Sequence, residues 1–256
     1  MPRYSLSLLL FVAAAASARA PAPPTTTDAV ADRELLRLLS SQYDAKARLR
    51  GGWTARGDTV TTRSLCADSG ARRGDRFVAV CSTPADVGGG RVDLFIVEPP
   101  ATPRGRARIR ARFRGVDHDP ADAVRLMAIA PDRLAFVLDT TTRSAGRTRA
   151  SHSLYAERAD GLRRLLTVGT RLDDTAACAS AAGSAGRRCR ERRVDLTCTL
   201  RADTSRVDAA AWPLELHVSG RRGGDAIDRV LPIPHDAYGY RVSARVLDTQ
   251  ACDGTD

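Results

Sequence analysis

From residue 53 onward, apolar and polar positions alternate along much of the chain. In 194–200, Val194, Leu196, Cys198 and Leu200 point one way, and Asp195, Thr197 and Thr199 the other. In 212–218, Trp212, Leu214, Leu216 and Val218 alternate with Pro213, Glu215 and His217. In 240–246, Tyr240, Val242, Ala244 and Val246 alternate with Arg241, Ser243 and Arg245. A period of two places successive side chains on opposite faces of an extended chain, so each run predicts a strand with one buried face. Residues 134–138, Leu-Ala-Phe-Val-Leu, are apolar on both faces and predict a central strand. Further strands are expected over 58–65, 75–81, 91–98, 106–114, 148–157, 162–170 and 226–233.

Turn residues punctuate these runs. Ala145-Gly146, Asp160-Gly161 and the segment Gly220-Arg221-Arg222-Gly223-Gly224 sit between strand patterns, and glycine supplies the positive φ that tight connections require. Residues 134–142, 148–157 and 162–170 therefore predict an up-and-down antiparallel meander. Short strands with a single convincing helix define an all-β fold, mainly antiparallel: a sandwich, a barrel or a propeller-like array. The lack of a fixed-period repeat weighs against a propeller.

The helix is expected over 29–49. Leu35, Leu36, Leu38, Leu39 and Tyr43 fall at helical spacing, Thr27 or Asp28 can cap the start, and Gly51-Gly52 stop it. Its apolar stripe is expected to pack on the domain. The polar segment 115–123 is a place where the β-rich region 51–256 can divide into two subdomains. Residues 173–190, rich in Ala, Gly and Ser, read as a long loop. Trp212 reads as core, and Tyr238-Gly239-Tyr240 as either a strand entry or a binding rim.

The N-terminus changes the compartment. Arg3 precedes an apolar run over 6–16, followed by the small residues Ala16-Ser17-Ala18. That order predicts a signal peptide over 1–18, and a run of about 11 residues is too short to span a bilayer. A disordered leader over 19–27 joins it to the helix. No other stretch is long and apolar enough to predict a transmembrane segment in the mature chain. The location expected is periplasmic or secreted.

Six cysteines lie at 66, 81, 178, 189, 198 and 252. An even count in an exported chain points to disulfides. Spacing favours Cys66–Cys81 and Cys178–Cys189, which leaves Cys198–Cys252 by elimination; six cysteines admit about fifteen pairings, so the connectivity stays open. A zinc site is disfavoured, because no C-x-x-C pair and no nearby His pair exist.

The formal net charge is +10, and Lys46 is the only lysine. Arginine in place of lysine, together with abundant alanine, reflects high-GC codon usage, which weakens any inference of nucleic-acid binding. The most distinctive pattern is Arg104, Arg106, Arg108, Arg110, Arg112 and Arg114, every second residue of one segment. On a regular strand these guanidinium groups share one face, about 6.8 Å apart, and can hold carboxylates or phosphates. Asp93 and Glu98 are candidate internal partners. Asp117, His118, Asp119 and Asp122 form the densest group of potential metal ligands, but they lack the Gly and terminal Glu of a calcium loop; capping by Asp119 before Pro120 is the simpler reading. His152 is expected half-buried, and His217 outward beside Glu215.

No G-x-S-x-G, Walker-type or dinucleotide-type motif occurs. No catalytic residue, metal or cofactor is therefore assigned. The expected function is a non-enzymatic binding protein of the bacterial envelope, holding an anionic envelope component or another protein through its arginine-rich strand face. An envelope hydrolase using His152 or His235 is one alternative. An inhibitor or immunity-type protein that plugs an enzyme with 173–190 is another.

Overall fold

A computed structural model describes residues 29–85, 89–179, 183–206, 209–236, 239–242 and 252. The expected signal peptide, the leader, both capping candidates and the strand pattern beyond 242 lie outside the described residues.

The chain opens with α1 (Asp32–Tyr43) and then forms five strands: β1 (Trp53–Ala55), β2 (Asp58–Asp68), β3 (Arg76–Pro84), β4 (Gly90–Glu98) and β5 (Arg108–His118). These pair in chain order as an antiparallel meander. Seven more strands follow, β6 (Val124–Ala130), β7 (Arg133–Ser144), β8 (Arg147–Arg158), β9 (Gly161–Asp173), β10 (Val194–Ala202), β11 (Leu214–Arg222) and β12 (Asp225–Ile233), again paired in chain order. Between β9 and β10 stand α2 (Thr175–Ala179) and α3 (Gly183–Arg192). A short hairpin, β13 (His235–Asp236) with β14 (Gly239–Tyr240), makes the third sheet. The fold is mostly antiparallel β with a helix near its start, and no sheet closes into a barrel.

The five-stranded sheet is buried on both faces, and its inner strands show why. In β3, Val78 and Val80 pack against Leu35 and Leu39 of α1, while Phe77 and Ala79 face the seven-stranded sheet. In β4, Phe95 and Val97 face the helix, and Leu94 and Ile96 meet Phe136, Leu138 and Tyr155. Continuous apolar runs such as Phe-Val-Ala-Val are what a strand covered on both faces requires. The other face of the seven-stranded sheet encloses its own core, built from Leu154, Val168, Leu196, Leu216 and Val218 and joined by Tyr240 and Cys252.

Several expectations change in detail. The helix ends at Tyr43, well short of 49, because Asp44 turns into the left-handed region and Ala45 begins to pair with Ala55. The glycines at 51 and 52 belong to the following loop, and the residue before the helix is Ala31, with no side-chain cap. The run 134–138 is buried on both faces yet sits next to the edge strand, since two cores flank it rather than many strands. The loop expected over 173–190 is largely helical, as α2 and α3. The chain crosses between the two large sheets over 119–123. Three disulfides are formed, Cys66–Cys81 and Cys178–Cys189, which spacing favoured, and Cys198–Cys252, which was left by elimination, and they fit an oxidising compartment. Among the described residues no helix is long and apolar enough to cross a membrane.

One charged residue holds α1 to the sheet. Arg76 is 2 % exposed. Its Nε and Nη2 donate to the two carboxylate oxygens of Asp68 at 2.8 and 2.6 Å, and its Nη1 donates to Asp32 at 2.7 Å and to the Val30 carbonyl at 3.1 Å. Burial pushes the Asp68 carboxyl up, but Arg76 and the Gly70 N–H outweigh this and hold it below its ordinary value. Its contribution to stability is therefore present above about pH 4 and lost as pH falls through the folded value.

Arg76→Met removes the buried guanidinium that joins Asp68, Asp32 and the Val30 carbonyl and is expected to lower the unfolding free energy by about 3 kcal/mol, read by urea denaturation. Asp32→Asn removes a half-exposed partner and should lower it by less than about 1 kcal/mol. Equal effects of the two changes would contradict the role given to Arg76.

Candidate functional site

The arginine-rich segment is not a single ladder. Arg104 and Arg106 precede β5, in a turn closed by the Gly105 N–H on the Thr102 carbonyl. Within β5 two register shifts intervene: Val97 faces Ile109 but Ile96 faces Ala111, and Leu94 faces Phe113 but Val92 faces Val116. Each bulge adds one residue and so reverses which face the following side chains occupy. Hence Ala107 and Ile109 pack on the α1 side, whereas Ala111 and Phe113 face the second sheet. The guanidinium groups are divided accordingly. Arg108 pairs with Glu98. Arg110 pairs with Asp75 at 2.6 Å and with Glu157 of β8 at 2.7 Å. Arg112 lies on the opposite side and donates to Gln42 of α1 at 3.4 Å. The expectation of six arginines on one face is thus corrected: bulges, which alternation alone does not reveal, separate them.

Arg114 enters a different setting. It lines a cleft of about 980 Å³ bounded by the end of α1, by β2 to β5 and by Thr140, Thr141 and Thr142 of β7. The same cleft gathers Asp117, His118, Asp119 and Asp122. Two of these acids have structural work. Asp119 accepts the Ala121 N–H at 2.9 Å, and Asp122 accepts the Thr141 N–H at 3.0 Å, which ties the crossing segment to β7. Among the described residues no cluster of three His, Cys, Asp or Glu can hold a metal ion. His118 is 7 % exposed, and its Nδ1 is buried without a hydrogen-bond partner. Such a nitrogen is costly to leave unmet.

Sequence reasoning missed the cleft's other wall. The Tyr43 hydroxyl donates to Asp93 Oδ2 at 2.6 Å, and the Gly115 N–H donates to Asp93 Oδ1 at 2.9 Å. The Tyr43 ring meets Phe95 edge-on, with the Arg63 guanidinium 5.5 Å from its centroid. Burial first, and the hydrogen bond to Asp93 second, hold the Tyr43 phenol well above its ordinary value of 10.0. Arg63 is also paired with Asp58, at 3.1 Å. Arg91 and Arg114, by contrast, form no ion pair among the described residues. The close approach of the strands requires Gly90, where a Cβ would lie 2.7 Å from the Ser82 carbonyl. No period marks a tyrosine at the last turn of a helix as part of a site; only the register of β4 and β5 brings it there.

The other histidines lie elsewhere. His152 Nδ1 is 2.7 Å from Asp139, a close electrostatic contact with poor N–H alignment, and its Nε2 faces Arg125 at 2.7 Å. Burial pushes the Asp139 carboxyl up, but His152 and Arg125 hold it below its ordinary value. His217 Nε2 is 3.2 Å from Glu215, on the outward side expected. His235 packs edge-on against Tyr240, and burial, with Arg133 and Arg158, lowers its pKa. Neither His152 nor His235 lines the cleft.

Comparison of the chain with protein-family models, with curated proteins and with solved structures finds no match.

Arg110→Glu places a third carboxylate beside Asp75 and Glu157 and should lower the unfolding free energy by about 1–2 kcal/mol, whereas Arg112→Glu, on the opposite side, should change it by less than about 0.5 kcal/mol. Similar losses for both would restore the single-face ladder. Because the Tyr43 phenol is raised, its contribution to stability is present below about pH 10 and is lost as pH rises through the folded value. Ultraviolet titration of Asp93→Asn should show one phenol ionising at lower pH than in the parent protein, and an unchanged titration would remove Asp93 from that role.

Proposed function

We propose that the protein is exported and acts without catalysis, as a binding protein of the bacterial envelope that holds an anionic partner. The signal-like N-terminus and the three disulfides support export. One observation carries the binding reading: Arg91 and Arg114 line the cleft without an ion pair among the described residues, although Asp93, Asp117, Asp119 and Asp122 line it too, and the unpartnered Nδ1 of His118 lies beside them. A ligand bearing a carboxylate, sulfate or phosphate answers that arrangement through charge-assisted hydrogen bonds.

The remaining lining narrows the class. Thr140, Thr141, Thr142, Thr61 and Ser82 offer hydroxyls, and Asp117 stands opposite Arg91 in the register. Hydroxyls and carboxylates interspersed with the guanidinium groups of Arg63, Arg91 and Arg114 suit a ligand that is polyhydroxylated as well as anionic, an acidic sugar unit of an envelope polysaccharide. The cleft volume lies near the upper end of the usual range for ligand sites, about 300–1,000 Å³. Against the hydrolase reading, neither His152 nor His235 lines the cleft. Against the plugging-loop reading, α2 and α3 occupy much of 173–190 and are stapled by Cys178–Cys189.

The test is calorimetric titration with a heparin-derived tetrasaccharide. Binding should weaken steeply with salt, and Arg91→Gln or Arg114→Gln should each weaken it about tenfold. Unchanged affinity in both variants would overturn the reading.

A further inference from the structure

A second surface, independent of the cleft, stands at one end of the seven-stranded sheet. There α2 and α3 form a hairpin joined by Cys178–Cys189. The Ala177 N–H donates to the Gly146 carbonyl at 3.1 Å, which ties α2 to the β7–β8 turn. The Gly223 N–H donates to the Arg193 carbonyl at 2.6 Å, which ties the end of α3 to the β11–β12 turn. A Cβ at Gly146 would lie 2.6 Å from the Ala177 nitrogen, and one at Gly223 would lie 2.5 Å from the Glu191 carbonyl. Both contacts therefore demand glycine, and the three segments are pressed together.

What they present is positive. Arg187, Arg188, Arg190 and Arg192 are exposed on α3, whose one acid is Glu191. Arg143 and Arg221 are exposed at the ends of β7 and β11, beside the two adjoining turns. None of these six forms an ion pair among the described residues. Of the nearby acids, Asp173 and Asp195 pair with Arg171 at 2.8 Å and Asp174 accepts the Val194 N–H at 2.7 Å, while Asp225 and Glu191 share a groove with Arg192 and leave the arginines in excess.

This cap works against its own stability. A ten-residue helix is marginal in water. Like charges at 187 and 190, and at 188 and 192, oppose it further. Among the described side chains of α3, only Gly186 is buried, so packing contributes little. The disulfide and the two glycine contacts hold the repelling charges in place. A like-charge cluster kept ordered by covalent and backbone means is preorganised for an anionic counter-surface.

The geometry points to docking of this cap on the phosphate headgroups of an anionic lipid bilayer. Arginines from three separate segments converge at one end of the molecule, where a charged plane reaches them together. The segments 143–149, 175–179, 183–193 and 219–225 contain no Phe, Tyr or Trp, so they lack the stacking platforms by which single-stranded nucleic acid is held and the aromatic anchors of an inserting segment. The attraction is electrostatic and superficial.

Vesicle flotation of the full chain tests this. The protein should float with vesicles of phosphatidylglycerol and phosphatidylcholine, not with phosphatidylcholine alone, and moderate salt should release it. The combined variant R187Q/R188Q/R190Q/R192Q should bind the anionic vesicles more weakly by nearly three orders of magnitude, at about fivefold per arginine. The variant R91Q/R114Q, altered in the cleft alone, should float as the parent does. Failure to float with anionic vesicles, undiminished flotation of the fourfold variant, loss of flotation in the cleft variant alone, or tighter binding to duplex DNA than to the vesicles would each overturn the proposal. None of these outcomes depends on the tetrasaccharide titration, so the two readings stand or fall separately.

Discussion

The fold turns on a buried guanidinium. Arg76 opens β3, beneath α1, and joins three parts of the chain: Asp68 at the end of β2, Asp32 in the first turn of α1, and the Val30 carbonyl just before it. Desolvating an arginine is unfavourable unless its donors are met, and here Asp68 meets it in a two-point fork, the geometry in which a guanidinium binds a carboxylate best. The clamp sets the start of the helix. Leu35 and Leu39 then fall onto Val78, Val80 and Phe95, and the far end arrives with Tyr43 against Asp93. One ion-paired hub at one end of a helix thereby positions a cleft wall at the other.

Covering the five-stranded sheet on its helix side leaves its second face for the seven-stranded sheet. That is why β3 and β4 carry the continuous apolar runs 77–81 and 94–97, whereas β10 and β11, buried on one face, alternate. The edge strand β5 reconciles the two environments by its bulges. Ile109 belongs to the helix side and Ala111 to the sheet side, with Arg110 at the reversal. The second bulge, where Gly115 has φ 71°, delivers an N–H to Asp93 and leaves Arg114 at the cleft. The irregularities of β5 thus make the site as well as the packing.

Much of this was legible before any coordinates. Period-two alternation placed β10 and β11, and the glycine turns at 146 and 161 placed the β7–β8–β9 meander, because both signals are local. Cysteine spacing favoured Cys66–Cys81 and Cys178–Cys189, since short loops close most readily, and elimination left Cys198–Cys252. The signals that failed were non-local. Arg76 looks like any other arginine in a basic chain until β2 and α1 are placed around it. The alternation over 104–114 predicts one face only if the strand is regular, and the neighbouring strand decides that. The helical content of 175–192 was hidden by Gly, Ala and Ser, whose order is enforced by a disulfide and by neighbouring turns rather than by an apolar stripe. The cleft gathered the 117–122 group with residues that no sequence spacing connects to it.

The claim that the Arg76 clamp organises both the helix and the cleft is tested most directly by hydrogen–deuterium exchange on Arg76→Met. The account predicts that amides of 32–43 and of the cleft strands near 90–93 and 114–118 lose protection, while those of β7 to β11 keep theirs. Unaltered protection across α1, or an equal loss over the whole chain, would contradict it.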